Sequence, residues 1–94
     1  MDLQHAQEIA DRVVQRLRSQ CSTIEVAGSI RRGRPFVNDI DLVLIPEDRY
    51  AVDRILIDLA IEATGRPSLK MAGKKIARLD LQGISLDVYY ATLE

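Results

Sequence analysis

Cysteine is nearly missing from this sequence, with Cys21 standing alone. A lone thiol excludes an internal disulfide and fits a reducing compartment, and small apolar filler at a helix end accounts for it. Histidine is as scarce, and the single His5 sits near the N-terminus on a surface helical pattern, where no functional role is expected of it. No apolar run is long enough to span a bilayer and no signal peptide opens the chain, so a cytoplasmic protein without a membrane partner is expected. Excess charge of one sign is lacking too. A formal net charge of -1 argues against a strong stand-alone nucleic-acid binder, because sequence-independent affinity comes from lysines and arginines that neutralise phosphates. Repeats, linkers and low-complexity tracts are absent, as is the Gly-x-x-x-x-Gly-Lys-Ser/Thr of a Walker-type phosphate loop.

What is present fits one domain. A chain of 94 residues buries about two-thirds of its unfolded surface, enough for one modest core. Residues 3–19 carry Ala6, Ile9, Ala10, Val13, Val14 and Leu17 on one side of a helix and Glu8, Asp11, Arg12, Gln15 and Arg16 on the other. Ser22 and Thr23 open a strand through Ala27, a turn spans 28–33, and a second strand runs from about 38 to 45 and ends at Pro46. Glu47 and Asp48 place negative charge where a helix N-terminus prefers it, and that helix runs to about Ala63 before Gly65 and Pro67. Its main stripe is Val52, Ile55, Leu56, Leu59 and Ala63. Tyr50, Ile57 and Ile61 form a second stripe, expected to meet the first helix, with an additional domain or a dimer partner as the alternative. From Ser68 the pattern turns to β: a short strand to Met71, a turn at Ala72-Gly73, a strand 75–81, a turn at Gln82-Gly83 and a strand 84–91. The expected fold is α+β in two layers, a mixed sheet of four to five strands with two helices on one face.

The chemistry concentrates between Glu25 and Ile45. An apolar run breaks at Gly28-Ser29, passes Arg31, Arg32 and Arg34, and re-enters a β-branched run carrying Asp39 and Asp41. Strand alternation puts these aspartates on one face, with Cα atoms roughly 6.5 Å apart. Two carboxylates so placed repel and raise each other's pKa unless a cation lies between them. A hard divalent ion, Mg²⁺ or Mn²⁺, resolves this and leaves room for phosphate oxygens. Gly28 permits close backbone approach, Ser29 offers a hydroxyl and an amide, and Arg31 and Arg32 offer forked donors to phosphate. The competing account is a pair of aspartates on the solvent face of an edge strand, which β-propensity disfavours.

Gly28-Ser29-x-Arg31-Arg32-Gly33, followed by Asp39-x-Asp41 ten residues after the serine, resembles the signature of the DNA polymerase beta nucleotidyltransferase superfamily, most closely the palm of family X DNA polymerases. The resemblance implies a third aspartate on a later strand, and Asp87 in Leu86-Asp87-Val88-Tyr89-Tyr90 fits. It implies that Asp39, Asp41 and Asp87 hold two Mg²⁺ or Mn²⁺ ions, and that Gly28, Ser29, Arg31 and Arg32 hold the phosphates of an NTP or dNTP. The implied reaction is transfer of a nucleoside monophosphate to a hydroxyl, the 3′-hydroxyl of DNA above all, with release of pyrophosphate. The chain departs from the family at Asn38, where glycine is usual, and at Ser85, where an arginine is usual two residues before the third aspartate. If Gln82-Gly83 is a two-residue hairpin loop, counting outward from Leu81 and Ile84 sets Arg78 opposite Asp87, and Arg78 then supplies that cation from the neighbouring strand. An ordinary cross-strand ion pair is the plainer account of the same register. Lys74 and Lys75 could touch a nucleic-acid backbone.

The resemblance covers only the catalytic palm, and nothing in the sequence looks like the helix-hairpin-helix modules or thumb of such polymerases. The chain is therefore expected to be either a palm from a longer polymerase or a minimal stand-alone transferase. The latter, similar to antitoxin-type members that modify a protein, an RNA or a small molecule, is the second reading. A non-catalytic scaffold that binds nucleotide or nucleic acid without turnover is the third.

Overall fold

The computed structural model describes residues 1–71 and 75–92. Helix α1 (Leu3–Leu17) opens on Asp2, whose carboxylate accepts the His5 amide, and buries Ala6, Ala10, Val13, Val14 and Leu17 along one stripe. It gives way to a single 3₁₀ turn, Arg18–Gln20, rather than running to residue 19 as regular helix. Strand β1 (Cys21–Ala27) leads into α2 (Gly28–Arg31), then β2 (Asp39–Pro46) and helix α3 (Arg49–Thr64). Asp48 caps α3 through the Ala51 amide, and Gly65 closes it in the left-handed conformation at φ 78°, where an L side chain is strained. Strands β3 (Lys70–Met71), β4 (Ile76–Leu81) and β5 (Ile84–Tyr90) complete the chain.

Among the described residues five strands form one sheet in the order β1-β2-β5-β4-β3. Only the β2–β5 pair is parallel; the connection between them carries α3, β3 and β4. Alternation then sorts the side chains. Ile40, Leu42 and Leu44 from β2, Ala77, Leu79 and Leu81 from β4, and Leu86, Val88 and Tyr90 from β5 are buried against α1 and α3, which cover one face. The α+β two-layer fold expected from the sequence is the observed one. The opposite face carries Asp39, Asp41, Val43, Asp87 and Tyr89; α1 and α3 lie on the other side, and the start of α2 meets this face at Asp41.

Several local expectations need correction. The 28–33 segment is not a simple turn: Gly28–Arg31 makes one helical turn and buries Ile30, while Gly33 reverses the chain at φ 70°. Pro46 ends β2 as expected; it pairs with Cys21 of β1 beyond the last pair that β2 makes with β5. The second stripe of α3 is not buried as a unit: Tyr50 is 79% exposed and Ile61 43%, while Ile57 is half-buried, and the groove between α1 and α3 is lined by Ile9, Val13, Arg16, Leu59, Glu62 and Ala63. The Arg16 guanidinium donates from both of its terminal nitrogens to Glu62 across that seam, so the turn of α3 that meets α1 is rotated away from Tyr50 and Ile61. Cys21 begins β1 rather than ending a helix; it is half-buried against the core, and that burial, with Glu47 nearby, raises its thiol pKa. The expected turn at Ala72-Gly73 and the residue Lys74 lie outside the described residues.

Candidate active site

Asp41 belongs to a row that crosses the open face of the sheet. Its strand partners are Ala27 on β1 and Asp87 on β5; Asp87 is paired with Arg78 on β4, and Arg78 with Lys70 on β3. Residues opposite one another in a ladder share a face, so the two aspartates are direct neighbours, with Arg78 next in line. One step along, Asp39 is paired with Ser85 and Ser85 with Asp80. The three sequence-predicted carboxylates therefore converge on one face, from two central strands held on both sides by hydrogen-bonded neighbours.

Their environments differ. Asp39 is exposed, Asp41 is half-buried, and Asp87 is 6% exposed, which makes it the one charged side chain that is buried among the described residues. Burial, then the charge of Asp87, then that of Asp39 raise the Asp41 pKa, with Arg32 and Arg78 pulling it back. Asp87 is held by Arg78: Nε donates to Oδ1 at 2.7 Å and Nη2 to Oδ2 at 3.4 Å. This is the pairing expected from the Gln82-Gly83 hairpin, whose closing pair is Leu81 with Ile84. Ser85 does not turn to Asp87; its hydroxyl donates to Asp80 at 3.4 Å.

The Gly-Ser turn is built onto this row. Gly28 lies at φ 64°, and the Asp41 carboxylate packs so closely on it that a Cβ at residue 28 would overlap Asp41 Oδ2. Glycine is required twice over, for the backbone conformation and for the approach. Ser29 follows half-buried, and Arg31 and Arg32 are exposed beyond it. Arg32 reaches Asp41 electrostatically, which ties the arginine turn to the carboxylates. The loop that returns to Asp39 is fixed from the other side: the Val37 amide donates to the Met1 carbonyl, the Leu3 amide to the Pro35 carbonyl, and the Val37 side chain is fully buried.

Two further residues border the site that the motif does not point to. Asp80 adds a fourth carboxylate to the face and was legible in the hairpin register, since pairing Leu81 with Ile84 forces Asp80 opposite Ser85. Tyr89 stands beside the row, paired with Val43 and Ile76 and 37% exposed; burial first, then Asp41 and Asp87, raise its hydroxyl pKa.

As donors, three carboxylates on one face suit a hard divalent cation such as Mg²⁺ or Mn²⁺; the Asp41 pKa is raised by burial first and only then by the neighbouring Asp87 and Asp39 charges that such an ion would offset. Among the described residues no three His, Cys, Asp or Glu side chains are already gathered at ligand spacing, and the Asp87 oxygens are directed at Arg78. The donor chemistry fits; engagement of Asp87 requires its carboxylate to be shared with or released from Arg78. No family model matches the chain, and no curated protein matches it. Among the described residues no helix is long and apolar enough to cross a membrane.

Proposed function

We propose that this chain is a nucleotidyltransferase of the DNA polymerase X type, moving a nucleoside monophosphate from an NTP or dNTP to the 3′-hydroxyl of a DNA strand with release of pyrophosphate. The observation that carries this reading is the convergence of Asp39, Asp41 and Asp87 on an open sheet face with the Gly28-Ser29 turn packed directly on Asp41. Asp39 and Asp41 present carboxylate oxygens from one strand, and Asp87 presents its own from the strand alongside. Divalent ions held there supply Lewis-acid polarisation of phosphoryl oxygens and acidify an attacking hydroxyl.

The chain's own residues do the rest by position and charge. Gly28 lets a phosphate approach the backbone without a side chain in the way, and Ser29 adds a hydroxyl at the same bend. Arg31 and Arg32 neutralise the charge that grows on the pyrophosphate as its bond to the α-phosphorus breaks and the acceptor oxygen bonds in its place. The acceptor enters over the uncovered sheet beside Asp87, where Tyr89 and Val43 offer an apolar shelf.

The test is transfer of labelled dNTP or NTP, with Mg²⁺ or Mn²⁺, to a primed template, a single strand and a bystander protein. Transfer to the primed strand that is lost in Asp41→Ala and Asp87→Ala supports the reading. Label on the protein alone moves the chain to the antitoxin-type branch, and nucleotide binding indifferent to divalent ions and to Asp39→Ala makes it a scaffold.

A further inference from the structure

Arg78 occupies the carboxylate that the proposed reaction needs. Its guanidinium meets Asp87 side-on, with Nε to Oδ1 at 2.7 Å and Nη2 to Oδ2 at 3.4 Å, so both carboxylate oxygens are engaged. The two partners are unequally placed. The Asp87 side chain is 8% exposed, whereas that of Arg78 is 60% exposed and rooted on β4, outside the pair of strands that carries the aspartates. The carboxylate therefore stays where the sheet holds it, while the guanidinium has solvent to move into. No other hydrogen bond to the Asp87 carboxylate is made among the described residues, and Ser85, the other polar side chain two residues away on that face, is turned to Asp80.

We infer that Arg78 is an internal counter-ion that competes with a divalent cation for Asp87, neutralising the acidic row until the ion arrives and yielding the carboxylate to it. The inference rests on the transferase reading and assigns Arg78 a positioning role in it. An arginine stays protonated across the working pH range, so it cannot leave by losing its charge; it leaves only when a stronger cation takes the carboxylate. Without Arg78 the row would hold Asp39, Asp41 and Asp87 with no cation on β4 beside them. Such a site is less stable when empty and binds a dication more tightly, because one opposing positive charge has been removed.

This separates the competing role from a purely structural one, in which loss of Arg78 disorders Asp87 and weakens ion binding. Mn²⁺ alone is titrated into the full chain and followed by the paramagnetic resonance of the free ion, and thermal unfolding is recorded with and without saturating Mn²⁺. Arg78→Gln is expected to bind Mn²⁺ about fivefold more tightly than the wild type, the size of one partly exposed charge interaction. It should melt lower than the wild type without the ion and recover most of that deficit when saturated, since ligand binding stabilises the folded state by mass action. Arg78→Lys retains the charge but not the two-point contact, and should bind more tightly than the wild type by less than Arg78→Gln does. Mn²⁺ binding that is lost in Asp41→Ala but unchanged or weakened in Arg78→Gln, or tightened equally in Arg78→Lys, overturns the counter-ion role and leaves the transferase reading standing. Wild-type protein with no Asp41-dependent Mn²⁺ binding overturns both.

Discussion

Two glycines in this chain share a positive φ and differ in what lies above them, which allows a controlled experiment on the site. Gly28 has φ 64° with the Asp41 carboxylate on its Cα, and Gly33 has φ 70° with nothing within 4 Å of where a methyl group would project. Alanine at either position incurs the left-handed strain of an L residue, roughly 1 kcal/mol. Gly33→Ala should lose about that much stability and nothing else. Gly28→Ala also places a methyl group in the space of Asp41 Oδ2, so the carboxylate must leave its rotamer well, which adds about 1 kcal/mol. The expected difference between the variants is thus about 1 kcal/mol in urea unfolding, with parallel denaturant slopes.

The functional difference should be much larger than the difference in stability. Displacing Asp41 by about 1 Å misaligns the reacting groups and costs on the order of a hundredfold in transfer, whereas Gly33→Ala leaves Asp41 untouched and transfer within about twofold. Both variants are measured as folded proteins, so the comparison does not depend on the absolute rate. Equal losses of transfer in the two variants, or a Gly28→Ala variant as active as Gly33→Ala, would refute the claim that the Gly28–Asp41 contact positions the site.

Asp41→Asn should stabilise the protein at neutral pH while abolishing transfer. The folded-state pKa of Asp41 lies above its unfolded value, so the folded state binds the proton more tightly; the destabilisation by the charged form is fully present above the folded pKa and vanishes below the unfolded one. The advantage of Asp41→Asn in thermal melts should therefore shrink as pH falls from neutrality towards the ordinary carboxylate range, and an advantage that grows instead contradicts the assignment. Tyr90→Phe removes the hydroxyl that donates to Asp53 Oδ1 and leaves Asp53 its contact with Arg49, so a loss of about 1 kcal/mol in chemical denaturation is expected. Ile61→Glu should shift stability by no more than about 0.5 kcal/mol, because the side chain is exposed on the turn of α3 that faces away from α1, whereas Leu56→Ala, fully buried, should cost about 2–5 kcal/mol.

The site was legible in the sequence wherever local geometry decides it. Period two alone puts Asp39 and Asp41 on one face, and a two-residue loop at Gln82-Gly83 fixes the whole β4–β5 register, Arg78 opposite Asp87 included. The same counting reaches Asp80. What local rules could not supply was the parallel pairing of β2 with β5, which brings Asp41 beside Asp87 from distant parts of the chain; the expectation of a third aspartate came from resemblance, not from spacing. Helical periodicity failed at Tyr50 and Ile61 for a related reason. It detects an apolar stripe but not what covers it, and these two side chains are left exposed while Leu59 and Ala63 line the groove between α3 and α1. The segment Gly28–Arg31 is too short to show any period, so its single helical turn could not be told from a loop.

The near-zero net charge takes on a different meaning once the sheet is assembled. Asp39, Asp41 and Asp87 lie on β2 and β5, which have ladder partners on both sides, while the compensating arginines lie outside them, Arg32 at the end of α2 and Arg78 on β4, the strand that also carries the exposed Asp80. Asp41 feels both cations, one from each flank. Negative charge is thus carried on strands with neighbours on both sides, and positive charge on exposed side chains that can move without disturbing the sheet. Under the proposed reading, a dication entering the centre would relieve repulsion among the carboxylates, and the arginines would remain near any phosphates it brought. The division between rigid anions and movable cations lets a small, nearly neutral domain hold a strongly polarised site.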